Sequence, residues 1–276
     1  MIFFPNCKIN LGLKILRKRE DGYHDLETCF YPLPLNDILE IMPSGELLFT
    51  ATGISIPGDP AANLCLKAYH LLKKDFPDLP AVHIYLHKHI PIGAGLGGGS
   101  SDGAHTLLLL NAHFRLQLDT RQLIEYAARL GSDCPFFVLN TPSLAEGRGE
   151  KLQEVELDLS KYSFVIVHPG IHISTSRAFE QCQPDEGGKC VRTVIQQPIS
   201  TWARELVNDF EGPLLRLHPA LRSIKEALYH QGALYASLTG SGSSLFGIFE
   251  KGKIPVLPLD QAVLQLDQEV QIINLP

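Results

Sequence analysis

The sequence predicts an α+β fold in two lobes, and three observations carry that prediction. Segments alternating with period two, the pattern of strands, stand beside segments with the 3.6-residue apolar spacing of helices. Strands and helices do not alternate one for one, and no second β-α-β unit follows the glycine-rich stretch at residues 90–102. Composition changes after Glu154, in a chain of 276 residues that has room for one large domain or two ordinary ones. The expected boundary lies near residues 155–162, dividing the chain into lobes 1–155 and 156–276.

Composition sets the class. The chain is 45% hydrophobic and 20% charged, as globular proteins are. Its formal net charge of −6 argues against a nucleic-acid partner, which favours basic chains. No apolar run approaches the ~20 residues of a membrane span. Met1-Ile2-Phe3-Phe4-Pro5-Asn6 has neither the charged nor the long apolar region of a secretory signal. Six scattered cysteines, at 7, 29, 65, 134, 182 and 190, form no Cys-x-x-Cys pair and no zinc spacing. They read as reduced, buried thiols, and the expected location is cytoplasmic. Cys7, beside Lys8, has an activated-nucleophile alternative.

Residues 7–16 alternate with period two, placing Ile9, Leu11, Leu13 and Ile15 on one strand face. Lys8, Asn10, Gly12 and Lys14 share the other face, and a Lys and an Asn beside a residue without a side chain read as the floor of a site. Asp21-Gly22 is a hairpin signal with Tyr23 and His24 directly behind it. Strands are expected at residues 24–32, 38–42 and 47–52. Pro57, Gly58 and Pro60 break the chain before a helix over 63–76, with Leu64, Ala68, Leu71 and Leu72 on one face. A strand over 81–87 follows. His83, His87 and His89 alternate on its outer face without a nearby acid or cysteine, so a metal site is not expected there.

The stretch Ile90 to Asp102 organises the rest. It holds Pro91, Ile92, Gly93, Ala94, Gly95, Leu96, Gly97, Gly98, Gly99, Ser100 and Ser101, and a helix is expected from Asp102 to about Phe114. Glycines let backbone N–H groups turn inward, and a helix start adds unpaired donors and partial positive charge. Together these make an anion cradle, and the common multi-oxygen anion is a phosphate chain. Gly99 stands where a Walker A loop needs Lys, so that loop type is excluded. The dinucleotide pattern G-x-G-x-x-G does match at Gly93, Gly95 and Gly98, with Asp119 as its later acid. However, Asp119 follows a helix rather than a strand.

A short helix is expected from Thr120 to Leu130, ended by Gly131. Asp133 comes next, before the apolar run Phe136-Phe137-Val138-Leu139, which reads as a strand. An Asp there is either a turn cap or a site residue. Residues 145–150 form another glycine-punctuated strand or turn. Beyond the boundary, a strand over 164–168 leads through Pro169-Gly170 to a short helix carrying Phe179. Residues 184–189 form a polar loop. Helices are expected over 200–209, 219–231 and near 259–266, and strands over 234–238, 245–249 and 270–274. Thr239-Gly240-Ser241-Gly242-Ser243-Ser244 is a second glycine loop, which can serve the same phosphate site as the first.

Three of these motifs resemble one superfamily. Lys8-Ile9-Asn10-Leu11, Pro91 to Ser101 and Leu238-Thr239-Gly240-Ser241-Gly242-Ser243 are similar to the signatures of the galactokinase–homoserine kinase–mevalonate kinase (GHMP) superfamily, and the loop follows P-x-G-x-G-L-G-x-G-S-S throughout. Asp21-Gly22-Tyr23-His24 and Leu130-Gly131-Ser132-Asp133-Cys134-Pro135-Phe136-Phe137 resemble one branch of it, whose acceptor carries a cytidine diphosphate group. The resemblance covers nearly the whole chain, with its motifs in order. It implies a two-lobed GHMP kinase fold with the active site in the interlobe cleft. The implied reaction is ATP-dependent phosphorylation of the 2-hydroxyl of 4-diphosphocytidyl-2-C-methyl-D-erythritol, in the non-mevalonate isoprenoid pathway. Homoserine and mevalonate kinase activities are the alternatives within the superfamily.

Carried onto this chain, the resemblance implies Lys8 and Asp133 as the catalytic pair and Pro91 to Ser101 as the ATP loop. Tyr23 and Phe179 would sandwich the cytosine, His24 would hydrogen-bond it, and Asn10 and Thr175 would lie near the methylerythritol or its phosphates. ATP and Mg²⁺ are the implied cofactors, with Ser101 reaching Mg²⁺ or a phosphate and no dedicated metal-ligand set. The implied partner is a small-molecule substrate. Two positions depart from the pattern: Cys7 replaces a common Ala, and Asp102 stands where related enzymes often have Asn. Asp102 is expected to cap the helix. A nucleotide-binding regulator without turnover would keep the loop but have no use for Lys8 and Asp133.

Overall fold

A computed structural model describes residues 1–185, 187–253 and 270–275. In chain order the elements are β1 (Ile2–Phe3), β2 (Asn6–Lys18), β3 (His24–Asn36), β4 (Ile38–Pro43) and β5 (Leu48–Gly53). After a 3₁₀ turn at Pro60–Ala62 come α1 (Leu64–Asp75), β6 (Val82–Lys88), α2 (Gly98–Phe114), α3 (Thr120–Leu130) and α4 (Cys134–Leu139). Then follow β7 (Ser143–Gly147), β8 (Lys151–Glu154), β9 (Tyr162–His168), α5 (Thr175–Glu180), α6 (Val191–Ile195) and α7 (Ile199–Glu205). The described chain closes with α8 (Glu211–Leu217), α9 (Pro219–His230), β10 (Tyr235–Leu238), β11 (Leu245–Glu250) and β12 (Gln271–Leu275). The helix expected near 259–266 lies outside the described residues. Among the described residues no helix is long and apolar enough to cross a membrane.

The chain forms two compact units, each discontinuous in sequence. The first holds Met1–Lys8, Pro32–Ile92 and Gly97–Thr141. The second holds Ile9–Tyr31, Gly93–Leu96 and the described residues from Pro142 on. These cuts fall elsewhere than at the expected boundary of 155. The reason is strand pairing: Leu26–Phe30 pair with Ser143–Gly147, which draws the hairpin of β2 and β3 to the later part of the chain.

In the first unit, a sheet of order β1-β4-β6-β5 is antiparallel except for the parallel β5–β6 pair. Val82, Ile84 and Leu86 alternate inward as their spacing predicts. On the outer face His83 and His87 bond the hydroxyls of Thr50 and Thr52, at 2.8 and 2.9 Å. Helix α1 buries Cys65, Ala68, Tyr69 and Leu72 on one side. Helix α2 is buried nearly all round, from Gly98 to Leu110, so its sequence carries little amphipathic period. Its start at Gly98 is earlier than the expected Asp102.

Residues 136–139 are helical, not the expected strand. A short apolar run cannot separate a buried strand from a buried helical turn by period alone. Pro135 in the first turn favours the helix, because its fixed φ suits that position. Asn140 closes it in the left-handed conformation, φ 53°.

The second unit contains two sheets, of order β2-β3-β7-β8 and β10-β11-β9-β12. Strand β2 is buried on both faces, Lys8 and Asn10 as fully as Ile9 and Leu11. Its later residues Leu13 and Ile15 join Val165, Val167, Phe210, Leu221 and Leu238 in one core. Gly12, expected on an open floor, instead meets packing: a Cβ there would lie 2.7 Å from Leu206 Cδ1. Helix α7 stops at Glu205, short of the expected 209. Beyond it Asn208 turns its amide to the carbonyls of Leu238 and Gly240, both at 2.9 Å.

Candidate active site

In the first unit, Lys8 and Asp133 come together with Nζ and Oδ2 3.4 Å apart. Lys8 is buried, with its side chain 4% exposed, whereas the Asp133 side chain is 33% exposed. Asp133 sits at the N-cap position of α4 yet makes no side-chain cap bond. Its carboxylate is therefore turned to Lys8 and to solvent rather than spent on the helix. A partly exposed carboxylate beside a buried ammonium suits proton acceptance next to charge neutralisation. The adjacent Cys7 is no nucleophile. Burial pushes its thiol up to about 12, and its Sγ faces the Leu33 carbonyl.

Helix α2 begins beside this pair. Gly97 is its N-cap, with φ 72°. A Cβ on Gly97 would stand 2.9 Å from Phe137 Cζ and 3.1 Å from Lys8 Cε, so both backbone angle and space require glycine here. The first intrahelical bond is Ser101 N–H to Gly97 carbonyl, 2.9 Å. The N–H groups of Gly98, Gly99 and Ser100 precede it and point out of the helix end, which is the anion-binding geometry. Gly99 is exposed with open space where a Cβ would go. Ser101 is fully buried, its Oγ 3.3 Å from His105 Nδ1, so its hydroxyl faces the helix rather than the helix end.

Behind the helix start lies a buried charge cluster that nothing in the sequence pattern announces. Lys88 Nζ donates to Asp37 and, at 2.7 Å, to Asp102 Oδ2. The other Asp37 oxygen accepts from the backbone of His89 and Ile90, at 2.6 and 2.8 Å, fixing the chain as it enters the glycine stretch. Asp102 is thus no cap, contrary to expectation. It lies a turn inside the helix, where no free N–H remains for it. Its Oδ1 is buried without a hydrogen-bond partner among the described residues.

Burial pushes Asp102 up to about 7 against the pull of Lys88. Burial also works to lower Lys88, but the two carboxylates outweigh it and hold the ammonium above its usual value. A carboxyl whose pKa is raised by folding favours the native state while protonated. That stability is present below the unfolded value of ~3.9 and is lost as pH rises through about 7. Asp102→Asn removes this dependence. Its melting temperature is expected to gain on the parent's progressively between about pH 4 and pH 8. A difference that stays flat across that range would contradict the assignment.

In the second unit, Gly93–Leu96 packs on the second glycine loop. A Cβ on Gly95, φ 77°, would overlap the Thr239 carbonyl. Thr239 Oγ1 lies 3.2 Å from the Gly95 carbonyl, and Ser244 N–H donates to the Ala94 carbonyl at 3.2 Å. Asn10 ties into the same knot. Its Oδ1 accepts from Gly240 N–H at 2.9 Å, and its Nδ2 donates to Thr28 Oγ1 at 3.0 Å. Asn10 therefore acts as a tie between strand and loop. Thr175 is exposed, its hydroxyl 3.0 Å from that of Ser241 in the second loop.

Phe179 and Tyr23, expected on either side of a cytosine, each have a partner of their own in this unit. The His24 ring stacks on Phe179, centroids 4.6 Å apart and planes 11° from parallel, and Phe179 meets Phe210 edge-on. Tyr23 is 54% exposed and lies under the Arg148 guanidinium, 4.7 Å from the ring centroid. Burial, then the charge of Lys18, lowers the His24 pKa, which keeps the imidazole neutral at neutral pH. A neutral ring offers one donor and one acceptor.

The dinucleotide reading fails on its acid. Asp119 forms a capping box with Gln122 at the start of α3, the Gln122 N–H donating to it at 2.8 Å. It is spent on a helix end rather than standing at the tip of a strand. Among the described residues no group of three or more His, Cys, Asp or Glu is assembled to hold a metal.

Family models and known proteins match the chain over most of its length. Residues 63–141 match the GHMP kinases N terminal domain, and residues 194–255 the GHMP kinases C terminal domain. The chain is 51% identical over 250 residues to a 4-diphosphocytidyl-2-C-methyl-D-erythritol kinase of Cytophaga hutchinsonii, covering 90% of this chain and 92% of that protein. It is 49% identical over 253 residues to the kinase of the same description from Bacteroides fragilis, again covering 90% and 92%. A crystal structure of a 4-(cytidine 5'-diphospho)-2C-methyl-D-erythritol kinase superposes with a TM-score of 0.81 at 32% identity, over 100% of this chain and 99% of the other.

Proposed function

The chain belongs to the GHMP kinases, in the 4-diphosphocytidyl-2-C-methyl-D-erythritol kinase branch, and from that membership we propose that it transfers the γ-phosphoryl group of ATP to the 2-hydroxyl of 4-diphosphocytidyl-2-C-methyl-D-erythritol. The product would feed isoprenoid precursor synthesis by the non-mevalonate route. The observation that carries the reading is the Lys8–Asp133 pair beside the start of α2. A binding protein without turnover has no use for a buried cation held against a partly exposed carboxylate at a phosphate-binding helix end.

The proposed mechanism uses each group once. The N–H groups at the start of α2 hold phosphate oxygens of ATP. The acceptor hydroxyl donates its proton to Asp133 as its oxygen attacks the γ-phosphorus. The new phosphorus–oxygen bond forms as the bond to the β-phosphate oxygen breaks, and ADP leaves. Lys8 neutralises the charge that spreads over the transferring oxygens. Mg²⁺ fits this site as an ion carried in on the phosphates, since it keeps several waters and needs no dedicated protein cage. When bound it would supply further neutralisation of phosphate charge. The described residues name no protein ligand for it, and the buried Ser101 hydroxyl is engaged with His105.

Acceptor choice cannot come from a phosphate loop, which takes any triphosphate tail. We assign it to Tyr23, His24 and Phe179, with Asn10 and Thr175 supporting the polar end through the second loop. One face of Tyr23 stacks on the cytosine, worth ~1–3 kcal/mol by analogy with other base–aromatic contacts. Neutral His24 pairs with the polar edge of the base. Tyr23→Ala is expected to raise KM for the acceptor about tenfold, with KM for ATP unchanged. A rise in the ATP value instead would move the Asp21–His24 turn to the nucleotide site and remove these residues as the basis for selecting a cytidyl acceptor.

A further inference from the structure

Arg148 stands opposite Tyr23 because of strand register. Leu26 pairs with Gly147 at the end of β7, so the next residue leaves the sheet beside the turn that starts β3. The turn it enters is rigid. Gly147 and Gly149 both have positive φ, 68° and 106°. Glu150 Oε2 accepts the Arg148 N–H at 2.6 Å, and Gly149 N–H donates to the Glu146 carbonyl at 3.1 Å. Across from it, the Tyr23 backbone is pinned as well. Its carbonyl accepts from Arg19 N–H at 2.8 Å, and its N–H donates to Asp21 Oδ1 at 3.1 Å. Both backbones are fixed, yet the Tyr23 ring itself is more than half exposed. Its only described ring partner is the half-buried guanidinium 4.7 Å from its centroid.

We propose that Arg148 is a positioning residue for the acceptor: its guanidinium covers one face of Tyr23, holds the ring upright, and leaves the opposite face as the single platform for a flat base. This rests on the proposed stacking of Tyr23 against the acceptor's cytosine. A planar cation over an aromatic face is attracted by the ring quadrupole, and at exposed sites the attraction is worth ~0.5–1 kcal/mol, about two- to fivefold in an equilibrium. Lysine keeps the charge but loses the flat, stacking surface. The same contact orders the ring before the acceptor arrives, which reduces the entropy lost on binding.

A double-mutant cycle in the full chain tests this, with KM for the cytidyl acceptor, KM for ATP and melting temperature measured on each variant. Arg148→Ala is expected to raise the acceptor KM about two- to fivefold, with ATP KM and melting temperature unchanged. Arg148→Lys should fall between parent and Ala. In the Tyr23→Ala background, Arg148→Ala should add nothing, because the ring it braces is gone. An equal rise in both backgrounds would mean Arg148 acts independently of Tyr23 and would overturn the inference. So would an unchanged acceptor KM in Arg148→Ala alongside a raised one in Tyr23→Ala, which leaves the role of Tyr23 standing. If Tyr23→Ala itself leaves the acceptor KM unchanged, the stacking role of Tyr23 falls, and the brace with it.

Discussion

Asp133→Ala is expected to lower kcat at least ~10²-fold while leaving KM for ATP nearly unchanged. The carboxylate is the group proposed to take the proton of the acceptor hydroxyl, and general-base removal costs ~10²–10⁴ in rate. Nucleotide affinity should survive because the cradle is built from backbone N–H groups of α2, to which Asp133 contributes nothing. Folding should survive at some cost in melting temperature, since buried Lys8 loses this carboxylate. Asp133 makes no cap bond, and its side chain is 33% exposed. Melting temperature measured beside kcat separates a catalytic loss from a structural one. Wild-type turnover in a folded Asp133→Ala variant would remove the base assignment, and with it the carboxylate half of the proposed mechanism.

Much of this fold is legible in the sequence because its signals are local. The period-two alternation of residues 7–16 identifies β2, and Asp21-Gly22 marks the turn before β3. The glycine run followed by Ser100 and Ser101 marks a helix start, although α2 begins earlier than Asp102 because glycines score poorly as helix formers. What does not show is of two kinds. Residues 136–139 are too few to reveal their period, so an apolar run that reads as a strand folds as a helical turn. The other differences are long-range. Asp37, Lys88 and Asp102 look like ordinary solvated charges along the sequence, and only the folded sheet brings them to one buried point. Arg148 is one arginine in a glycine-rich turn until the register of β3 and β7 sets it over Tyr23. Asn10 reads as a neighbour of substrate, but its amide is shared among Thr28, Thr239 and Gly240, residues remote in sequence. The second glycine loop is the local signal for that tie, and it carries no mark of the strand it meets.

The second large effect concerns the acceptor. A site that hydrogen-bonds a polar group rejects analogues lacking it, because its partner group is left unpaired. His24, neutral and packed on Phe179, is the proposed partner. Acceptors without cytosine forfeit both this bond and the stack on Tyr23. Free methylerythritol phosphate should therefore fail even though it carries the very hydroxyl to be phosphorylated. Homoserine and mevalonate, the acceptors of other GHMP kinases, should fail as well. One measurement decides this most directly: phosphorus NMR of the purified chain with ATP and Mg²⁺, run in parallel on these four acceptors. The expected result is a new phosphomonoester signal, matched by ADP, with 4-diphosphocytidyl-2-C-methyl-D-erythritol alone. Comparable phosphorylation of free methylerythritol phosphate, homoserine or mevalonate, or none of the cytidyl compound, would contradict selection through the cytosine.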